Sequence, residues 1–368
     1  MCNVLIYFPY NQRTVEQQSV MELLVKKGHS VFLLTLSPKG YLHDYVKKIG
    51  VYASASPVPE SNSFLSIFRN AKYLLQFCSR HNIDVIFSHQ QLCMLPLIFA
   101  RPLLKTKNYY FRHNTDEDYH SNSLKAGILN RGINFFTRNF IAPSDVVYDY
   151  LVNSEKVNPN KIRRINYGYN FNQYDKPNLR VAKEIRKQYQ CDLLLVSIAR
   201  LVPAKRHEYM FEVINQLVKK GINIKMICLG DGMIKKKLLT WIVENNLSDN
   251  IYLLGNKNNI FDYLAAADIL LHLSETEASN SVVKEAGLIG KVVIACNEVG
   301  DFSDYIVNGV NGFLTAKDYP IDKSVSLIES LNKNRLSLSE IGNALKKTVI
   351  VKFSIENVSP LYDDLLKS

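Results

Sequence analysis

ILLHLSETEASNSVVKEAGLIGKVVIAC, residues 269–296, reads as a strand, a loop, a helix and a second strand. Ile269 to Leu273 is an apolar run of strand length. Ser274 to Asn280 is small and polar, and a helix follows, starting near Ser281 and carrying apolar residues from Val282 to Leu288. Val292 to Cys296 is again short, apolar and rich in β-formers. A βαβ unit of this kind builds parallel sheets with helices on both faces.

The alternation continues on both sides. Upstream lie strands at Leu193 to Ile198, Lys225 to Leu229 and Ile251 to Leu254, with helices at His207 to Lys220, Ile234 to Asn245 and Ile260 to Ala266; downstream is a last strand at Gly312 to Leu314. The first half shows the same pattern, with strands at Val4 to Phe8, Val31 to Leu36, Val85 to Ser88, Tyr109 to Phe111 and Asn139 to Ala142, and a helix from Val15 to Lys27. Between about Arg163 and Arg180 the periodicity fails in a stretch of Asn, Tyr, Gly and Pro that reads as a linker. The expectation is an α/β chain of two doubly wound domains, residues 1–170 and 171–350. A C-terminal helix in 351–368 is expected to return to the first domain. Ligands of such sheets bind at the carboxyl ends of the strands, and the cleft between the domains is the expected site.

Composition agrees with an ordinary globular chain. The 368 residues are 47% apolar and 21% charged, which excludes disordered, collagen-like and coiled-coil proteins. The six cysteines stand singly, with no metal-binding spacing, as buried thiols of a reducing cytosol do. No signal peptide is recognisable, and the longest apolar run, Leu92 to Ala100, is too short to span a bilayer. A cytoplasmic protein is expected, peripheral at most to a membrane. The formal charge is +11, and it is unevenly shared: residues 1–170 hold 20 Lys and Arg against 11 Asp and Glu, a net +9, leaving +2 for the rest. An excess of this kind points to an anionic partner.

Three local patterns carry chemistry. Arg200 and Lys205, just after the strand that ends at Ile198, are placed to clamp a diphosphate; a solvated basic loop is the plain alternative. Gly230-Asp231-Gly232 follows a strand and forms a tight turn that lets backbone approach a nucleotide, or is an ordinary βα turn. Glu277 in its loop and Glu285 just inside the helix flank the N–H groups of a helix end, a natural anion site, where two carboxylates suit the hydroxyls of a sugar and a ribose.

Taken in order, Arg200 and Lys205, Gly230-Asp231-Gly232, Ala267-Asp268, the pair Glu277 and Glu285, Val299-Gly300 with Asp304, and Asn308 to Phe313 resemble the family 4 retaining glycosyltransferases of the GT-B fold. The first half is similar to them as well, in Lys27 to Val31, Arg112-His113-Asn114, Ala142 to Asp145 and Ile165 to Asn170. The resemblance implies two Rossmann-like domains facing each other across a cleft. It also implies a nucleotide-diphosphate sugar as donor and a glycan acceptor, here expected to be lipid-linked as in capsule or O-antigen assembly. By the same resemblance Arg200 and Lys205 hold the diphosphate, Glu277 the donor sugar, and the backbone at Asn280, Ser281 and Val282 the phosphate. Glu285 binds the ribose, Gly255-Asn256 faces the base, Gly230 and Asp231 border the nucleotide, and His113 reaches the reacting carbon. The chain departs from the family pattern at Ala278-Ser279-Asn280, where Gly-Phe-Gly is usual, at Ala199 in place of Gly, and at Pro9 to Arg13, a loop without glycine. Gln12 and Arg13 there are side-chain alternatives for ligand contact.

Asp116-Glu117-Asp118, with His113 and His120 nearby, has the form of a metal site, but Thr115 to Asp118 reads first as a helix start with Thr115 as cap, and no essential metal or cofactor is expected. Two helical stretches of the first domain are amphipathic. The stripe in Phe64 to Arg80 (Phe64, Ile67, Phe68, Ala71, Leu74, Leu75, Cys78) is expected to pack on the sheet, and Leu124 to Phe140, with Phe beside Lys125, Arg131 and Arg138, is a candidate for an anionic membrane surface. Nucleic acid is not expected as a partner, since no basic run or nucleic-acid motif is present. A sugar-nucleotide epimerase and an inactive supporting subunit are the alternative functions.

Overall fold

A computed structural model describes residues 1–58, 63–113 and 124–367, with only the backbone for 124–128. Asp116-Glu117-Asp118 and His120 lie outside the described residues. The chain divides into two compact units, Met1–Phe171 with Phe353–Ser368, and Asn172–Lys352.

Unit 1 is a parallel sheet of seven strands: β1 (Asn3–Phe8), β2 (Ser30–Thr35), β3 (Tyr52–Ala55), β4 (Val85–His89), β5 (Lys107–Phe111), β6 (Phe140–Ala142) and β7 (Ile162–Arg164), in the order β3-β2-β1-β4-β5-β6-β7. Its helices are α1 (Val15–Lys26), α2 (Tyr41–Lys48), α3 (Phe64–Arg80), α4 (Gln90–Ala100), α5 (Leu124–Phe136) and α6 (Asp145–Asp149). Central strands such as β1 and β4 are apolar at nearly every position because helices cover both faces.

Unit 2 begins with α7 (Leu179–Tyr189). Its sheet comprises β8 (Leu193–Ile198), β9 (Ile224–Leu229), β10 (Ile251–Leu253), β11 (Ile269–His272), β12 (Val292–Cys296) and β13 (Phe313–Thr315), ordered β10-β9-β8-β11-β12-β13, again all parallel. The helices are α8 (His207–Lys219), α9 (Lys235–Glu244), α10 (Ile260–Ala266), α11 (Ser281–Leu288), α12 (Phe302–Tyr305), α13 (Pro320–Lys333) and α14 (Leu336–Phe353). The strand order turns back between β1 and β4 in unit 1 and between β8 and β11 in unit 2, the switch points where such sheets bind ligands.

α15 (Ile355–Lys367) belongs to unit 1. Ile355, Val358, Tyr362 and Leu365 are buried with Val4, Ile6 and Phe111, and the Tyr109 hydroxyl donates to the Leu365 carbonyl at 2.8 Å. Each such side chain contributes about 1.5–3 kcal/mol of burial.

Two expectations need correction. The segment read as a linker is partly structural: Ile162–Arg164 is the edge strand β7, the Asn170 amide donates to Glu22 at 2.8 Å, and the Tyr169 N–H donates to the Phe353 carbonyl at 2.8 Å. The Asn170 side chain, of a kind that breaks periodicity, makes the first of these bonds, and backbone alone makes the second. Nor does the α3 stripe pack whole on the sheet. Ala71, Leu74 and Cys78 are buried, but Phe64 and Phe68 are exposed, because the first turns bury a polar side instead, with Ser66 and with Asn70, which accepts from the Ser56 hydroxyl.

Among the described residues no helix is long and apolar enough to cross a membrane, and no three His, Cys, Asp or Glu side chains gather as a metal site. All six cysteines are free thiols; Cys2 and Cys191 are partly exposed rather than buried, since neither lies inside a strand or helix.

Candidate active site

At the switch point of unit 2, the loops after β8 and β11 are joined by the Glu275 N–H donating to the Ala204 carbonyl at 2.8 Å. Lys205 Nζ meets Glu277 Oε1 at 2.6 Å, and His272 Nε2, at the carboxyl end of β11, meets the same oxygen at 2.7 Å. Burial works to raise the Glu277 carboxyl, but the hydrogen bond and charge of His272, together with Lys205, outweigh it and hold the group down at about 2. Glu277 is therefore an ionised acceptor at any working pH. Arg200 is exposed, with no partner for its guanidinium among the described residues.

The loop that departs from the glycine-rich pattern is held by its polar substitutes. Asn280 caps α11: its Oδ1 accepts from the Val283 N–H at 3.1 Å while its Nδ2 lies 3.2 Å from His272 Nε2. The Ser279 hydroxyl donates to Asp301 Oδ2 at 2.6 Å and accepts from Lys284 Nζ at 3.0 Å. Lys284 and Asp301 form an ion pair at 2.6 Å, their side chains 1% and 0% exposed. Cap and ion pair leave the Ser281 and Val282 N–H groups at the helix end, partly exposed and without a partner among the described residues. Glu285 sits farther along α11 among its buried residues.

Glycine is required at two positions here. Gly230 has φ +133°, and a Cβ on it would lie 2.0 Å from the Ala199 carbonyl oxygen, so the turn after β9 packs directly on the segment leading to Arg200. Gly300 has φ +55°, and a Cβ there would come within 2.8 Å of Glu277 Cβ. The Gly230 N–H donates to the Gly255 carbonyl at 2.9 Å, which brings Gly255 and the exposed Asn256 to the same sheet edge. Asp231 is exposed and tied to Lys235 at 2.9 Å and to the Gly232 N–H at 2.8 Å, so its carboxylate shapes the turn. Asp268 stands at the opposite edge, before β11, paired with Arg186 and Arg335.

In unit 1, His113 follows the carboxyl end of β5. Its Nε2 lies 2.8 Å from His89 Nδ1, at the end of β4, and its Nδ1 lies 2.5 Å from the Tyr167 hydroxyl. Gln17 Nε2 lies 3.4 Å from His89 Nδ1. Burial pushes His113 down to about 4, and His89, also buried, well below its ordinary value, so both rings are neutral at neutral pH. Gln12 and Arg13 are exposed, while Asn11 Nδ2 donates to the Pro38 carbonyl at 2.6 Å.

The structure thus brings Lys205, Glu277, Asn280, Ser281 and Val282 together and sets Arg200, Gly230 and Gly255 along the same edge. His89, Tyr167, His272, Lys284 and Asp301 were not singled out by sequence. The available signal was a His directly at the end of an apolar strand, shared by His89 and His272.

The family model described as Glycosyl transferases group 1 matches residues 181–348, and that described as Glycosyltransferase Family 4 matches residues 18–173. Poly(ribitol-phosphate) alpha-N-acetylglucosaminyltransferase of Staphylococcus aureus is 26% identical over half of this chain, which spans only 37% of that relative's length. N-acetyl-alpha-D-glucosaminyl L-malate synthase of Bacillus anthracis is 26% identical over 93% of this chain and 90% of its own. The crystal structure of Anabaena HepE in complex with UDP and glucose superposes with a TM-score of 0.83 over the whole of both chains at 17% identity, a likeness of fold. With both family models matched in succession along one chain, and this fold, the chain belongs to the GT-B glycosyltransferases of the group 1 and family 4 kindred.

Proposed function

We propose that the protein is a retaining hexosyltransferase that moves a sugar from a nucleotide diphosphate to a hydroxyl of a lipid-linked glycan in surface polysaccharide assembly, working in the cytoplasm at the inner face of the membrane. One observation carries the reading: at the switch point of unit 2 an ionised Glu277 is paired with Lys205 near the amino end of α11, with Arg200, unpaired among the described residues, in the loop after β8. Cations and helix N–H groups suit a diphosphate, and an ionised carboxylate beside them suits sugar hydroxyls. The similar glucosaminyltransferases, and HepE with UDP, support a UDP-sugar as the first donor to try.

In this mechanism the bond from the anomeric carbon to the leaving phosphate breaks as Arg200, Lys205 and α11 stabilise the charge that develops on the diphosphate. The acceptor oxygen bonds to the anomeric carbon on the same face, and the departing phosphate takes the acceptor's proton. No protein nucleophile is needed, and Glu277, paired with Lys205, holds the sugar. Gly255 and Asn256 border the base, and Glu285 the ribose. His113, neutral and with its two ring nitrogens at hydrogen-bond distance from His89 and Tyr167, would act on the acceptor's side of the reaction without adding a positive charge. Transfer needs no essential metal, so full turnover is expected in excess chelator, and rescue only by added Mn²⁺ or Mg²⁺ would count against this.

The test is thermal shift with UDP, GDP, ADP and their sugars. Ligand at about 100 times Kd stabilises by about 2.7 kcal/mol. Arg200→Ala, which removes no hydrogen bond or ion pair among the described residues, is expected to keep the unliganded melting temperature, lose most of the shift and lower turnover by about 10²–10³-fold. If no nucleotide shifts the wild type, or the variant shifts equally, the assignment is wrong.

A further inference from the structure

Phe64, Phe99, Leu103, Phe135 and Phe136, all exposed, lie close together in unit 1. The rings of Phe64 and Phe99 meet edge-on at 5.8 Å, the chain turns through Arg101–Leu103, and the Arg101 guanidinium donates to the Phe136 carbonyl. Phe64, Leu103 and Phe135 are 71%, 77% and 78% exposed, and Phe135 and Phe136 are in ring contact at 5.1 Å. Monomeric proteins seldom expose so many large apolar side chains together unless the face binds something.

A cavity of about 850 Å³ opens in this face between α4, the end of α5 and the starts of β5 and β6. Arg101, Lys107, Arg138 and Lys161 line it, and no Asp or Glu does. Arg101 and Lys161 bond only to carbonyl oxygens, and none of the four meets a carboxylate among the described residues. Burial first, and then the charge of Arg138, pushes the Arg101 guanidinium below its ordinary value, so these cations repel with no carboxylate among the described residues to pair them.

We propose that this face docks on an anionic bilayer, with a lipid headgroup phosphate in the cavity and Phe135 and Phe136 in the interfacial layer. Cations ringed by exposed aromatics fit that boundary in both charge and polarity. The proposal deepens the membrane part of the function proposed above and is independent of the donor site. The cavity is lined by β5 from Lys107 to Tyr110, and its cation Lys107, at the amino end of that strand, is six residues before His113, about 20 Å at 3.3 Å per residue. Docking therefore leaves the reacting edge of the sheet uncovered.

The test is sedimentation of the full chain with phosphatidylcholine vesicles, with and without phosphatidylglycerol, at low and at physiological salt. Binding is expected only with phosphatidylglycerol and to weaken with salt. The variant Lys107→Ala with Arg138→Ala removes two exposed cations and should lower partitioning about 25-fold, at about five-fold per cation. Phe135→Ser with Phe136→Ser should lower it too. Absence of binding at low salt, or binding unchanged in both variants, overturns the proposal. The UDP thermal shift is read on the same samples. A shift without vesicle binding sinks the docking face alone, whereas vesicle binding without a shift sinks the donor assignment alone.

Discussion

Replacing Lys284 by Met tests whether the buried ion pair behind the α11 loop holds the site together. The substitution keeps the length of the side chain and removes its charge, leaving Asp301 ionised at 0% exposure with one hydroxyl, that of Ser279, still bonded to Oδ2. Breaking a buried pair from one side costs about 3–5 kcal/mol, because the remaining charge is uncompensated. Urea unfolding followed by tryptophan fluorescence is the suitable assay. Trp241 is the chain's single tryptophan, lies on α9 and packs on Phe211 at 5.8 Å, so it reports on unit 2. With a slope of about 2–3 kcal/mol per molar urea, the midpoint should fall by about 1–2 M. Adding Asp301→Asn removes the stranded charge and should recover most of that loss. Lys284 also donates to Ser279 and to the Asn280 carbonyl, so the single variant should weaken the UDP-induced thermal shift as well. A single variant within about 1 kcal/mol of wild type, or a double variant no better than the single, would refute the reasoning.

Three further outcomes follow from the same geometry. His207 is fully buried and pushed down to about 4, by burial first and then by His272, from an ordinary 6.5; the unfolded chain binds a proton between those values that the folded chain does not, so unit 2 should lose stability as pH falls from 6.5 to 4. The Trp241 urea midpoint should be lower at pH 5 than at pH 7, with a flatter slope in His207→Leu, and a midpoint indifferent to pH would contradict this. Gly300→Ala forces a left-handed residue against Glu277 and should cost about 1–2 kcal/mol and most of the response to UDP-sugars; near-wild-type turnover would show that the contact is not needed. Tyr167→Phe removes the hydroxyl 2.5 Å from His113 Nδ1 and should lower kcat more than it raises KM, with the UDP thermal shift unchanged, whereas an equal loss of UDP binding would point to a merely structural role.

Most strands and helices were legible because a strand covered on both faces must be apolar almost throughout. The two strands that were missed in unit 1, β3 (Tyr52–Ala55) and β7 (Ile162–Arg164), are the edges of the sheet, and the short helices α2, α4 and α6 were not named either. An edge strand is covered less completely, so YASA and IRR show no continuous apolar run. For α3 the helical period was readable, but not that its first turns bury Ser66 and Asn70 in place of Phe64 and Phe68.

Lys205 and Glu277 could be named from their places after two strands, but not as partners, since 72 positions separate them. The departures from the glycine-rich loop also acquired a reason only from the fold, in the Asn280 cap and the anchoring of Ser279 by Lys284 and Asp301. By itself the sequence determined the parallel α/β architecture, the break near residue 171 and the uneven charge, because each depends on residues close together in the chain. Only the tertiary structure decided which polar groups meet. Strand order brings the ends of β4 and β5 together with Tyr167, and those of β8 and β11 with α11, and hydrogen bonds and ion pairs act over a few ångströms whatever the distance along the chain.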